Sequence, residues 1–375
     1  MRRSLLLVWF LPVLMTACEP PLPDCADGPL FSVPPIDVSG LRALVPLGNL
    51  NPGGGHVFPT DHVYFYIVPA AQGGPALLVD VFAPGEIVIT SVVAQEHVSE
   101  GFTDYQVQFS ACAQVGGYFY HLSSLSGRVQ AALGPFDDDR CESYTTGGQA
   151  FRNCSKPANI ALAPGELLGT AGGPGQYALD FGLFDERVPP LEYANPARMQ
   201  GRYDRFDALH AVCPVDYFAD NVRAVLEGHF GRFDGSELRT TPPRCGEVEQ
   251  DEPGTAQGIW FLEGATGDGP EDPHLALVHD NVDPARPVFS VGTSVPGLPR
   301  GLYAFSPETS GRNNRDFSAI SDAAIYTFCG LEHAEGVIVL LQLTSADTIR
   351  IEAQAAADCG DAPGAFTQAA VNFER

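Results

Sequence analysis

The stretch HVYFYIVPAAQGGPALLVDVFAPGEIVITSVVA, residues 62–94, decides the fold class. It contains three runs rich in β-branched and aromatic residues, at 62–69, 76–84 and 86–94, and Gly or Pro separates each run from the next. Short runs of this composition, with turn residues between them, predict antiparallel strands. Similar runs follow further along the chain, so we expect an antiparallel sheet to be built around this stretch.

The rest of the chain extends this pattern into two domains, since 375 residues are many for one hydrophobic core. We place a β domain at 41–240, with a polar insert at 134–157 and a helix near 215–230. A turn-rich passage leads from it to a second domain at 245–375, where six strand-like runs predict a small barrel or sandwich. The expected fold class is therefore mainly β, an antiparallel domain followed by a second small β domain. The apolar face of the helix is predicted to consist of Phe218, Val222, Val225 and Leu226.

The N-terminal sequence MRRSLLLVWFLPVLMTAC has the pattern of a bacterial lipoprotein signal peptide at 1–17. Its apolar run from Leu5 to Leu14 is about half of the ~20 residues that a membrane-spanning helix needs. Cleavage before Cys18 would leave that thiol for lipidation, with 18–40 as a proline-rich tether. We therefore expect a protein of the cell envelope that contacts the membrane only through its lipid anchor.

The net charge excludes some classes of binding partner, and the number of cysteines predicts disulfides. A formal net charge of -25 argues against binding nucleic acid or anionic lipid headgroups. With Cys18 assigned to the lipid, eight of the nine cysteines remain, and an even number in an exported protein predicts disulfides. We favour the pairs Cys141–Cys154 and Cys329–Cys359, and the pairing of the other four cysteines stays open.

Four segments of the first domain occur in a significant order: GGGHVFPTDH at 53–62, VDVFAPGEIVITSV at 79–92, GGYFYHLSSLS at 116–126 and APGELLGTAGGPGQYALDFGLFD at 163–185. Together they resemble the lysostaphin-like (LytM-type) zinc metallopeptidases, which cut peptide cross-links in bacterial cell walls. The resemblance implies a zinc cofactor and peptidoglycan or a peptide as partner. It also implies site residues, with His56, Asp61 and Asp180 as metal ligands and His121 as the catalytic histidine.

The chemistry of such a site explains these residue types. A catalytic zinc ion takes three nitrogen or oxygen ligands and makes its bound water acidic enough to attack an amide, and a nearby histidine transfers protons. This chain departs from the family where Ala178 replaces a second catalytic histidine and Asp180 replaces a histidine ligand. Two carboxylates would also shift the metal preference toward calcium or manganese. We therefore expect a divergent enzyme with weak activity, or a domain that binds peptide without cleaving it.

The alternative is a non-catalytic envelope scaffold without a metal site. In that interpretation His56 is a surface residue of a turn and Asp61 bonds turn amides. His121 is then a packing residue. Asp180 lies within an apolar strand, where a buried carboxylate needs a partner, so the sequence predicts a metal ion or His121 beside it.

Overall fold

The computed structural model describes residues 22–71, 73–146, 149–200, 206–266 and 269–375. The strands of this part form two antiparallel sheets, which confirms the mainly β fold class. The predicted signal peptide and Cys18 lie outside the described residues. None of the helices in the described ranges is long and apolar enough to cross a membrane.

The first sheet has eleven strands, and the runs quoted above form three of them. Its main order is β1-β2-β10-β6-β5-β4-β8-β7, while β3 pairs with β9, β9 with β6, and β11 with β10. Its bounds are β1 Leu41–Val45, β2 His62–Ile67, β3 Ala76–Phe82, β4 Ile87–His97, β5 Phe102–Ser110, β6 Val115–Leu125, β7 Cys141–Thr146, β8 Gln149–Leu162, β9 Leu167–Gly173, β10 Ala178–Asp185 and β11 Ala211–Val212.

The second sheet has eight strands in the order β15-β14-β13-β12-β19-β18-β17-β16. Two of them, β15 and β19, were not expected from the sequence. A core that includes Phe289, Phe317 and Phe328 lies against this sheet. The bounds are β12 Gly258–Leu262, β13 Leu275–His279, β14 Pro287–Val291, β15 Gly301–Ala304, β16 Ile325–Phe328, β17 Val337–Ser345, β18 Thr348–Ala355 and β19 Val371–Glu374.

The helices are short, and the helix predicted at 215–230 is the clearest departure from the sequence analysis. The helices of the first domain are α1, Gly127–Leu133, and α2, Asp220–Glu227. Phe218 has an extended backbone and bridges to Phe31, so a short 3₁₀ helix at Pro214–Tyr217 ends before it and the α-helix begins only after it. Phe218 and Leu226 are buried as predicted, but Val225 is exposed.

Four disulfides connect segments of the chain, and the sequence analysis left the pairing of two of them open. The predicted pairs Cys141–Cys154 and Cys329–Cys359 are both confirmed, and the others are Cys25–Cys112 and Cys213–Cys245. Cys141 and Cys154 face each other across the β7–β8 hairpin, so the segment predicted as a loop at 134–157 instead extends the sheet. Cys25–Cys112 attaches the proline-rich segment to the first domain from Cys25 onward.

The two sheets share a packed interface. Phe58 of the first domain lies between Phe261 and His274 of the second, stacked on the His274 ring with centroids 5.4 Å apart. The Phe58 amide donates to a Glu271 carboxylate oxygen at 2.8 Å, and the Ser290 hydroxyl donates to the Val57 carbonyl at 2.6 Å. These buried bonds fix one domain against the other.

Candidate functional site

One face of the first sheet carries polar side chains where β2, β10 and β6 lie side by side. Alternation along each strand sends Phe65, Phe181 and Phe119 into the core, where they are fully buried. It sends His62 and Asp180 to the opposite face. Pairing of β10 with both neighbours therefore brings polar groups that are distant in sequence onto one surface.

His62 is held by a carboxylate on its Nδ1 side. Its Nδ1 lies 2.9 Å from Asp61 Oδ1, and the Tyr118 hydroxyl donates to the same oxygen at 2.9 Å. Both His62 and Asp61 are buried. The Nε2 atom of His62 points to Asp180 Oδ2, 3.5 Å away. The ring is thus fixed between two carboxylates.

His121 has a matching arrangement from another strand. Its Nδ1 lies 2.7 Å from Asp104 Oδ2, and its Nε2 lies 3.4 Å from Asp180 Oδ2. Asp104 is fully buried, and its other oxygen lies 3.3 Å from Nε2 of His97. Asp104 therefore orients two histidines, and about a third of the His121 side chain stays exposed to solvent.

A backbone irregularity directs the His121 side chain toward Asp180. Its φ is 64°, in the left-handed region that residues other than glycine rarely adopt. The ladder between β5 and β6 slips here, because Val107 faces Phe119 whereas Tyr105 faces Leu122. Such a bulge redirects a side chain, and strain of this kind often occurs at functional sites. His121 thereby reaches Asp180 although Tyr120, its neighbour, is the register partner of Asp180.

We call the groups Asp61, His62, Asp180, His121 and Asp104 the carboxylate–imidazole network. Burial raises the pKa of Asp180, although the two histidines oppose this shift. Burial by itself would lower the pKa of His62 and of His121, but the neighbouring carboxylates outweigh it and raise both. Burial is thus the main cause of the Asp180 shift, whereas the carboxylates cause the histidine shifts, and in all three groups the protonated form is favoured.

The predicted site residues are placed as follows. Asp61, His121 and Asp180 belong to the network. His56 lies beside it, with its ring centroid 5.6 Å from that of His62, and burial lowers its pKa to about 4. Ala178, at the position of the missing histidine, packs with Val45 and Tyr64.

Sequence reasoning missed His62, Asp104, His97 and Tyr118. For His62 a signal existed, because alternation in HVYFYI puts it on the same face as Tyr64 and Tyr66. For Asp104 no local signal existed, since its partner His121 belongs to the next strand.

The donor chemistry of this site can be compared with that of a metal centre. Metal-binding histidines usually present one nitrogen to the ion while a carboxylate holds the other, as Asp61 holds His62. Asp61 Oδ2, His62 Nε2 and Asp180 Oδ1 are buried and form no hydrogen bond. Zinc ligands at 2.0–2.1 Å lie about 3.4 Å apart in a tetrahedron, close to the distances from Asp180 to His62 and His121. Within the described residues, however, no three His, Cys, Asp or Glu side chains are already arranged so that they could hold a metal ion.

The chain matches no protein-family model, and neither a curated protein nor a solved structure is significantly similar to it.

Proposed function

We propose that this chain is an exported protein of the cell envelope whose first domain binds a divalent metal ion, zinc by donor type, and acts weakly on peptidoglycan peptides or binds them. The observation that carries the proposal is the paired geometry at Asp180. Two histidines from separate strands, each held at Nδ1 by its own carboxylate, direct Nε2 to the same Asp180 oxygen. A buried packing histidine needs no such arrangement.

The residues divide into two roles. His62 and Asp180, with His56 beside them, would hold the ion, and Asp61 positions His62 as an outer carboxylate. The bound metal would supply an acidified water and would polarise an amide carbonyl. His121 is the member of the network most open to solvent, so it can meet a substrate and exchange a proton at Nε2. Asp104 fixes the His121 tautomer by accepting the hydrogen of Nδ1, as the third group of a catalytic triad does.

The cellular location is supported by two features of the chain. Four disulfides join all eight cysteines from Cys25 to Cys359, as expected for a protein that folds in an oxidising compartment. The N-terminal sequence to Cys18 carries the export and lipidation pattern described above. A protein anchored there would have peptidoglycan within reach.

Metal content of the purified chain tests the proposal. We expect about one zinc ion per chain by elemental analysis, and loss of that ion in His62→Ala and in Asp180→Ala. His229→Ala is the matched control, because the partly exposed His229 contacts the Val225 carbonyl and no member of the network. A wild-type protein that contains no metal, and whose thermal stability does not change when a chelator is added, would contradict the metal site.

Activity is a separate measurement. Release of free amines from purified peptidoglycan by the zinc-loaded chain would support an enzyme, and His121→Ala should abolish it while keeping the metal. A metal-loaded chain that releases no amines but sediments with peptidoglycan would support the binding role.

A second candidate, the non-catalytic scaffold, is favoured by one observation. The network is buried and pairs internally, and Ala178 removes one proton-transferring histidine of the family. In that case the network serves stability alone. His62→Ala and Asp180→Ala would then lower stability without changing metal content.

A further inference from the structure

A cleft of about 800 Å³ lies between the two domains, and no part of the proposed function uses it. The first domain supplies Arg42 of β1, Tyr66 of β2 and Tyr177, and the second supplies Arg286 and Leu302. Clefts of this size between domains are the commonest place for ligands in proteins.

The wall of the cleft exposes aromatic rings. Tyr177 and Phe233 are each 55% exposed, which ranks them among the most exposed large apolar side chains of the described residues. The Phe233 ring lies 5.6 Å from that of Tyr66, so the rings form a continuous surface. Exposed aromatic groups that meet in a concave place mark a binding surface.

Phe233 is displayed on a fixed turn. The Gly235 amide donates to the Arg232 carbonyl at 2.8 Å, and the Ser236 amide donates to Asp234 Oδ1 at 3.0 Å. Arg42 Nε donates to the Asp234 carbonyl at 3.2 Å, which ties the turn to β1. These bonds fix the backbone that carries the ring, so a ligand that covers Phe233 does not have to order the turn.

The charge of the cleft is opposite to that of the chain. Arg42, Arg232 and Arg286 line it with only two carboxylates, Asp280 and Glu332, which leaves one positive charge in excess. The chain as a whole has a formal net charge of -25. Arg232 pairs with Glu237 at 2.7 Å and with Asp280 at 3.3 Å, and Arg286 pairs with Glu332. Arg42 instead donates Nε to the Asp234 carbonyl. Arginine recognises carboxylates by paired hydrogen bonds.

The cleft also adjoins the carboxylate–imidazole network. Tyr66 lies four residues from His62 on the same face of β2, about 13 Å along the strand. Tyr64 and Ala178 pack between them.

We propose that this interdomain cleft binds a short peptide that carries a free carboxylate, with Arg42 pairing the carboxylate and Phe233 and Tyr177 covering an apolar side chain. The mixture of arginines, acids and aromatic rings suits a peptide better than a neutral sugar, which has no negative charge to pair with Arg42. The proposal goes beyond the function proposed above and does not depend on metal or cleavage.

The test uses the full chain after chelator treatment, so that metal plays no part. An array of random N-acetylated tetrapeptides with free carboxyl termini is probed beside the same array with amidated termini. We expect selective binding that is lost on amidation, and calorimetry with the best peptide should give about tenfold weaker binding for Arg42→Gln and Phe233→Ala.

Matched controls lie outside the cleft. Arg128→Gln removes an arginine that pairs with Glu166, and Leu167→Ala removes an exposed apolar side chain of β9. Both should bind like the wild type. His62→Ala should also retain cleft binding, which separates this proposal from the metal site.

Several results would overturn the proposal. These are an array without selective binding, equal binding of amidated peptides, and unchanged affinity of the two cleft variants. If a neutral oligosaccharide such as chitotetraose binds in a way that depends on Phe233 but not on Arg42, the ligand of the cleft is a sugar and not a peptide.

Discussion

At the scale of single residues, Asp104 is the group on which the network depends most. Its carboxylate is fully buried and contacts His121 on one side and His97 on the other. Its role is therefore positional, since it acts through the two imidazoles.

Asp104→Asn should destabilise the fold by about 2–3 kcal/mol, because it leaves two partly buried histidines without their charged partner. Urea unfolding measures this change. Glu100→Gln is the control, since Glu100 lies 3.7 Å from the same His97 but is largely exposed, and it should cost less than about 0.5 kcal/mol. Equal losses for the two variants would show that burial of Asp104 does not matter.

The backbone of His121 allows a second test. The φ of 64° strains any residue that has a side chain. The free energy of unfolding, measured with urea, should therefore be about 1 kcal/mol higher for His121→Gly than for His121→Ala. Both variants lose the same contacts, so their difference isolates the backbone strain. An alanine variant as stable as the glycine variant would mean that the bulge relaxes.

Glu249 gives the protein a pH dependence outside the network. Burial raises its pKa to about 7, and the charges of Asp251 and Glu247 add to this. A carboxyl with a raised pKa in the folded state binds its proton more tightly there than in the unfolded chain. Its contribution to stability is therefore present below about pH 4.5 and is lost as the pH rises to about 7.

Glu249→Gln should remove this dependence. At pH 8 the variant should be more stable than the wild type by on the order of 1 kcal/mol. The difference is this small because solvent screens the charge of a carboxylate that is only half-buried. The difference in stability between this variant and the wild type should shrink as the pH falls toward the ordinary pKa of a glutamate, because the wild-type carboxyl is then protonated in both states. Denaturant midpoints at several pH values check this, and a difference that is constant with pH would contradict it.

At the scale of elements, the disulfides differ in the length of chain that they close. Cys25–Cys112 spans 87 residues and attaches the N-terminal segment, whereas Cys141–Cys154 spans 13 within one hairpin. The longer loop restricts the unfolded chain more.

Replacing both cysteines of Cys25–Cys112 by alanine should therefore cost about 1.5 kcal/mol more than replacing both of Cys141–Cys154. Thermal unfolding of the two double variants measures this. A larger loss for the hairpin bond would mean that this bond acts mainly by stabilising the folded edge of the sheet. Restriction of the unfolded chain would then be the smaller effect.

At the scale of the whole molecule, the two sheets are expected to unfold together. Phe58 is buried against Phe261 and His274, so Phe58→Ala should cost about 3–5 kcal/mol. Hydrogen exchange should then speed up in β12 and β13 as well as in β2. The control is Leu78→Ala, because Leu78 is exposed on β3. Faster exchange confined to the first sheet would show that the domains are independent.

Local sequence was sufficient for much of the fold. Alternating apolar residues and turn residues located most strands, because successive side chains of a regular strand point to opposite faces of the sheet. The hairpin bond Cys141–Cys154 was found for a similar reason, since its partners are close in the chain. The helix at 215–230 was overestimated because the bridge of Phe218 to Phe31 is a distant contact.

The composition of the site was decided by the tertiary structure. The resemblance drawn from the sequence selected His56, Asp61, Asp180 and His121, and the structure brings the last three into one network. It also adds Asp104 and exchanges His56 for His62 as the ring in contact, through the register of β2, β10 and β6 and a bulge at His121. Pairing between strands is a long-range property that no local pattern encodes. The residues and their faces are therefore determined by the sequence, whereas which carboxylate meets which histidine is determined only when the strands pair.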